Sequence, residues 1–122
     1  MAEQRVDLKK LLLLIKDGKN FDANLCLDEG CTFETEDPTA LIKVFNYLIN
    51  YLKQLTAKPI EIALDLRSND YLLSFMAYTE QKDLPPLSEN LKEVLKNYSA
   101  SLESVHEEGK YYQVRLSFAK AS

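Results

Sequence analysis

The sequence predicts an α+β fold, a two-layer sandwich in which helices pack on one face of a mixed, mostly antiparallel sheet. Three observations predict it. Apolar residues recur at helical spacing in three stretches, apolar and polar residues alternate in six others, and turn residues join the alternating runs in adjacent pairs. Adjacent strand pairs favour antiparallel ladders, and helices between the pairs cover the sheet they form. Residues 1–122 read as a single domain, with an N-terminal helix over residues 1–18 and the sandwich core over residues 19–122.

The elements follow in order. From about Val6, the residues Leu8, Leu11, Leu12 and Ile15 mark a helix, with Gly18 as its stop. Leu13 and Leu14 widen that stripe beyond what one sheet face needs, so the helix is either deeply packed or carries a dimer contact there. Phe21, Ala23, Leu25 and Leu27 alternate with polar partners, as do Cys31, Phe33 and Thr35; Asp28-Glu29-Gly30 between them predicts a short hairpin loop with Gly30 left-handed. Asp37 predicts a helix cap and Pro38 the first helical residue. Leu41, Phe45, Leu48, Leu52 and Leu55 form the stripe of that helix, which Lys58-Pro59 ends. Ile60, Ile62, Leu64 and Leu66 predict a strand with one buried face, and Ser68-Asn69-Asp70 turns into a second strand from Tyr71 to about Thr79. Glu80 to Leu87 is irregular. Ser88 caps a helix containing Leu91, Val94, Leu95 and Tyr98. Leu102 to His106 and Tyr111 to Phe118 make a closing hairpin around Glu107-Glu108-Gly109, with Tyr112, Val114, Leu116 and Phe118 inward.

Composition narrows the function classes. A chain of 122 residues buries roughly two-thirds of its unfolded surface without staples. An apolar fraction of 46% argues against disorder. A net charge of −4 gives no electrostatic reason to expect nucleic acid or an anionic membrane as partner. The apolar run from Leu11 to Ile15 is too short to span a bilayer, and no leading stretch is ordered like a signal peptide, so cytoplasm is the expected location. Cys26 and Cys31 flank Leu27-Asp28-Glu29-Gly30; with a single histidine in the chain they complete no zinc set, and they read as reduced, half-buried strand residues in preference to a redox pair.

The second helix carries a resemblance. Asn46-Tyr47-Leu48-Ile49-Asn50-Tyr51-Leu52-Lys53 resembles the N-box, N-L-x-x-N-A-x-K, of the histidine kinase, gyrase and MutL superfamily of ATPases, the Bergerat-fold or GHKL group. The resemblance implies roles. In that family the second asparagine helps hold the magnesium of the bound triphosphate, and the lysine can lie close to phosphate; Asn50 and Lys53 match those positions, and Asn46 matches the first asparagine. Tyr51 departs from the small family residue and brings a large ring to where backbone normally packs near the ligand. Glu36-Asp37 before the helix is similar to the lead-in to the box, and the stretch from Ala100 to Leu116 is similar to the closing hairpin of kinase catalytic domains. Element order extends the resemblance over nearly the whole chain, while the motif itself is confined to the octet and that hairpin. On a helical wheel Asn46, Asn50 and Lys53 share a polar face, as either a ligand-facing row or a plain solvated face would.

What is missing from the pattern shapes the expected chemistry. No glycine lies between Gly30 and Gly109. In the family, the strand after the N-box helix ends in D-x-G-x-G, whose aspartate reads the adenine amino group; here it runs into Tyr78-Thr79-Glu80-Gln81-Lys82-Asp83-Leu84-Pro85. Pro85-Pro86 and the helix from Ser88 stand where a glycine-rich lid would cradle phosphate, and such a cradle needs residues able to take φ > 0. The expectation is therefore a degenerate pseudo-ATPase that binds no nucleotide cofactor and no metal, with Asn46, Asn50 and Lys53 vestigial. His106 sits near a hairpin turn and not on a helical hairpin as a phosphoacceptor would, so no role is expected for it. No nucleophile–base–acid set is apparent, and capping and solvation account for Glu34, Glu36 and Asp37.

The expected function is a non-catalytic regulatory module of bacterial signalling type that binds another signalling protein. The resemblance suggests a response regulator, because certain bacterial histidine phosphotransfer proteins keep a degenerate ATPase-like domain to dock one. Tyr71, Tyr78, Tyr98, Tyr111 and Tyr112 are of a type that interfaces favour, and Leu13, Leu14, Tyr51 and Tyr78 are the interface candidates. Two alternatives stand beside it. One is a small-molecule binder or enzyme that reuses the old cleft, lined by Asn46, Asn50 and Lys53 with Tyr51 and Tyr78 as walls. The other is a structural homodimer held by the leucine-rich first helix.

Overall fold

The computed structural model describes residues 3–120. In chain order the elements are β1 (Gln4–Asp7), α1 (Leu8–Lys19), β2 (Ala23–Leu27), β3 (Thr32–Thr35), α2 (Thr39–Leu55), β4 (Ile60–Leu66), β5 (Asp70–Tyr78), α3 (Asn90–Lys96), β6 (Ala100–Glu107) and β7 (Tyr111–Ala119). Five strands form the main sheet in the order β2-β4-β5-β7-β6; β2 and β4 run parallel and every other neighbouring pair is antiparallel. β1 and β3 make a separate antiparallel ribbon. This is the expected α+β sandwich.

Period-two alternation sends Ile62, Leu64, Leu73, Phe75, Val114, Leu116 and Phe118 into one layer, where they meet Leu41, Phe45, Leu48 and Leu52 of α2. Phe45 sits between Phe75 and Phe118, with ring centroids 5.9 and 6.5 Å away. Each such side chain contributes about 1.5–3 kcal/mol by leaving water, so this layer dominates the stability of the fold.

α2 starts as the sequence requires. The Asp37 carboxylate accepts from Thr39 N–H at 2.9 Å, and Ile42 N–H donates to the Pro38 carbonyl at 3.1 Å. The Tyr98 hydroxyl enters this first turn: it donates to the Asp37 carbonyl at 2.8 Å and accepts from Leu41 N–H at 3.2 Å. It thereby replaces one i→i−4 bond with a two-step bridge and ties the end of α3 to the start of α2.

Three local expectations need correction. The chain opens with β1, not with helix: the Asp7 carboxylate accepts from Lys9 N–H and Lys10 N–H, so α1 begins only at Leu8. Gly18 lies inside the last turn, and Asn20 closes the helix at φ 53°, a left-handed position that asparagine tolerates. β2 and β3 are not a hairpin. β2 pairs with β4 through the crossover that α2 supplies, which a parallel pair needs, and Asp28 secures it: its N–H donates to the Leu64 carbonyl at 2.9 Å and its carboxylate accepts from Leu66 N–H at 2.8 Å. Gly30 does take the left-handed conformation, φ 89°, but the loop carries the chain from sheet to ribbon. The cysteines are also unlike one another. Cys26 is exposed in β2, while Cys31 is buried just before β3, where burial first and then Asp28 and Asp7 push its thiol pKa up.

Candidate functional site

The side of α2 that faces residues 79–89 is built from two tyrosines one turn apart. Tyr47 and Tyr51 stack with centroids 6.4 Å apart, and Tyr51 also packs against Tyr112 at 5.7 Å. The Tyr51 ring is only 8% exposed, and its hydroxyl donates to the Pro85 carbonyl. The Tyr47 hydroxyl accepts from Ser88 N–H at 2.9 Å. Farther along, the Gln81 amide donates to the Leu55 carbonyl at 3.4 Å and Gln81 N–H donates to the Thr79 hydroxyl at 3.1 Å. The segment after β5 is thus fastened to α2 at both its ends. Burial, with Tyr112 and Tyr47 as neighbours, pushes the Tyr51 phenol up to about 12. Thr79, 5% exposed, directly follows β5 and donates its N–H to the Lys110 carbonyl at 3.0 Å.

Beyond Tyr51 a cleft of about 740 Å³ opens between this segment, α3 and the β6–β7 edge. Its walls include Tyr51, Leu84, Leu91, Leu102, Tyr112 and His106, and His106 meets Tyr112 edge-on at 5.9 Å. Lys92 and Glu103 also line it.

Of the residues expected in a reused cleft, only Tyr51 lines this one. Asn46 is half-buried, and Asn50 and Lys53 are exposed. Lys53 instead holds its ammonium 6.0 Å from the Phe21 ring centroid, beside a polar groove of about 410 Å³ that includes Asn20, Asp22 and Lys58. Tyr78 is 42% exposed at the end of β5, and Leu13 and Leu14 are 38% and 69% exposed on α1. The cleft residue that sequence reasoning set aside is His106. A signal was present: Ala100, Leu102, Ser104 and His106 alternate onto the face of β6 that pairs with inward Phe118, Leu116, Val114 and Tyr112 of β7.

Asp37 and Asp70 serve structure. Asp37 is held below the usual carboxylate range by its hydrogen bond from Thr39, as a helix cap should be. Asp70 accepts both guanidinium bonds of Arg67 at 2.6 Å and also accepts from the Ser117 hydroxyl, which together hold it at about 2 and fasten the β4–β5 turn. Among the described residues, no group of three or more histidine, cysteine or acidic side chains is placed to hold a metal ion. No described helix is long and apolar enough to cross a membrane.

No protein-family model and no curated protein matches the sequence. Solved structures do. The histidine kinase AdeS of Acinetobacter baumannii superposes at TM-score 0.75 and 10% identity, covering 100% of this chain and 69% of its own. The histidine kinase domain of the E. coli osmosensor EnvZ gives 0.76 at 11% identity, covering 100% and 91%. A histidine kinase from Burkholderia phymatum gives 0.68 at 11%, covering 100% and 73%. At such identities the likeness is one of architecture, and it is complete along the chain: the protein has the fold of a histidine kinase ATPase domain.

Proposed function

We propose that this domain is a non-catalytic regulatory module, a kinase-type ATPase scaffold that no longer takes nucleotide and that docks a signalling protein, with a response regulator as the expected partner. The observation that carries the reading is the double tyrosine anchor on residues 84–88. The Tyr51 ring stands at the small position of the N-box and holds the Pro85 carbonyl, while Tyr47 holds Ser88 N–H. A segment fastened at these points and free of glycine has no backbone to wrap around phosphate. Thr79 follows β5 where the family resemblance calls for an adenine-reading acid, and a hydroxyl bonded to Gln81 N–H supplies no carboxylate. Asn46, half-buried, and Asn50 and Lys53, exposed, are then remnants.

Calorimetric titration with magnesium and ATP tests the first half; no heat of binding is expected, and micromolar affinity overturns the reading. A pull-down from the native cytosol tests the second, with recovery of a response regulator or another signalling protein expected and recovery of none counting against docking. The cleft of about 740 Å³ favours one further reading, a small-molecule site walled by Tyr51, Tyr112 and Leu91. A thermal-shift screen separates the two, because a ligand present at 100 times its Kd stabilises by about 2.7 kcal/mol.

A further inference from the structure

Helix α1 has one face in the core and another that no described residue covers. Leu8, Leu12 and Ile15 are buried. At about 100° per residue, Lys10, Leu14 and Asp17 fall together on the outward side, and Leu11 and Gly18 lie along one flank of Leu14. Leu14, at 69%, is the most exposed large apolar side chain among the described residues. Beside it runs a groove of about 370 Å³ bordered by Val6, Leu11, Pro38 and Ile42. Neither Lys10 nor Asp17 belongs to an ion pair among the described residues. A Cβ added at Gly18 would meet nothing within 4 Å, so the backbone there is open to close approach.

We propose that this face pairs with the same face of a second copy, the two α1 helices running antiparallel about a two-fold axis at Leu14. Such an axis reverses height along the helix and keeps each flank of the seam on its own side, so residues before Leu14 meet residues after it that share their flank and lie within one residue's rise of the same height. Lys10 then lies beside Asp17 of the second copy, and Asp17 beside its Lys10, giving two ion pairs. Leu14 meets Leu14. Leu11 covers Gly18, where the absent side chain lets the helices close up. The sequence of the face is therefore its own complement, in charge and in bulk. A parallel pairing sets Lys10 against Lys10 and Asp17 against Asp17 and is repelled.

α1 is only about 18 Å long at 1.5 Å per residue, so the interface falls below the standard size and a Kd in the micromolar range or weaker follows. This association does not depend on whether nucleotide binding has been lost.

Sedimentation of the full chain from about 10 μM to about 1 mM, the range such a Kd occupies, tests the proposal with Lys10→Glu, Asp17→Lys and the double exchange. Both substitutions suit the ends of the helix where they fall, an acid near the N-terminus and a base near the C-terminus, so all three variants should fold, as circular dichroism will verify. The wild type should pass from monomer to dimer. Each single variant should associate at least tenfold more weakly. The double exchange should restore association, and so should an equimolar mixture of the two single variants, whose charges complement each other. A wild type that stays monomeric throughout overturns the proposal, as does association that persists in the single variants or fails to return in the double exchange.

Discussion

Replacing Tyr47 and Tyr51 with phenylalanine removes two hydroxyls and leaves the rings, and so isolates what fastens residues 84–88 to α2. In the wild type the Tyr51 hydroxyl donates to the Pro85 carbonyl, and Ser88 N–H donates to the Tyr47 hydroxyl at 2.9 Å. A neutral hydrogen bond contributes about 0.5–1.5 kcal/mol net, so losing both lowers the opening free energy of the segment by about 1–3 kcal/mol. The ring contacts at 6.4 and 5.7 Å stay in place. Prolines carry no amide proton, so Ser88 is the reporter. Its native-state hydrogen exchange should accelerate by about fivefold to about 150-fold in the double variant, with the single variants between, while relative protection within β4 and β5 is kept. Exchange at Ser88 within about twofold of the wild type, less than half a kcal/mol, refutes the anchor and removes the main support for a closed nucleotide site. The phenol adds a pH signature. Tyr51 titrates at about 12 in the fold, against about 10 when unfolded. A raised folded value makes this contribution fully present below about pH 10 and lost as the pH rises towards 12, so Tyr51→Phe should flatten that part of the alkaline limb.

Asp70 gives the opposite sign: its folded value of about 2 lies below the unfolded value of about 3.9, so its contribution is present above about pH 4 and lost as the pH falls towards 2. Asp70→Asn should flatten the acid limb of the urea-unfolding profile in that window, and an unaltered slope there would sink the assignment. Tyr98→Phe removes the hydroxyl inserted between the Asp37 carbonyl and Leu41 N–H; because the helix can close part of the gap, a loss of about 1–2 kcal/mol is expected, seen as a lower denaturant midpoint at constant m. No change in midpoint would mean that the bridge is dispensable. The glycines should behave in opposite ways. Gly30→Ala, at φ 89° with Leu66 Cδ2 at 3.5 Å from the new Cβ, should cost about 1 kcal/mol through its backbone. Gly18→Ala, in the last turn of a helix with open space around it, should stabilise the monomer by about 0.5–1 kcal/mol. Denaturant titrations check both, and equal effects would refute the distinction.

Elements were legible in the sequence wherever burial imposed a period. The alternation of Ile60, Ile62 and Leu64 and the stripe of Leu41, Phe45, Leu48 and Leu52 fix a strand and a helix whatever their neighbours do. Pairing partners were not legible, because alternation says which side of a strand is buried and nothing about which strand lies beside it. β2 and β3 were therefore joined by a plausible loop, whereas the hydrogen bonds that route them apart come from Asp28 to Leu64 and Leu66, more than thirty residues on. β1 escaped for a related reason: four residues are too few to show a period, and the strand exists only because β3 pairs with it. The cleft was displaced because its position depends on Pro85 and Ser88 being drawn to Tyr51 and Tyr47, contacts 34 and 41 residues long that no local spacing encodes.

On the proposed reading, the two sides of α2 let a fold outlast a ligand. Leu41, Phe45, Leu48 and Leu52 are fully buried, and this layer holds the fold. Tyr47 and Tyr51 occupy a different side of the helix, and their hydroxyls hold the segment above it. Residues 79–88 hold no glycine, and Pro85-Pro86 restricts the unfolded chain further, so closing the segment costs less entropy than it would for a glycine-rich lid. A nucleotide site needs such a lid to move; a docking surface gains from one that does not, because a partner then has less to order on binding. Under the proposed function, the same tyrosine hydroxyls withhold the first capacity and supply the second.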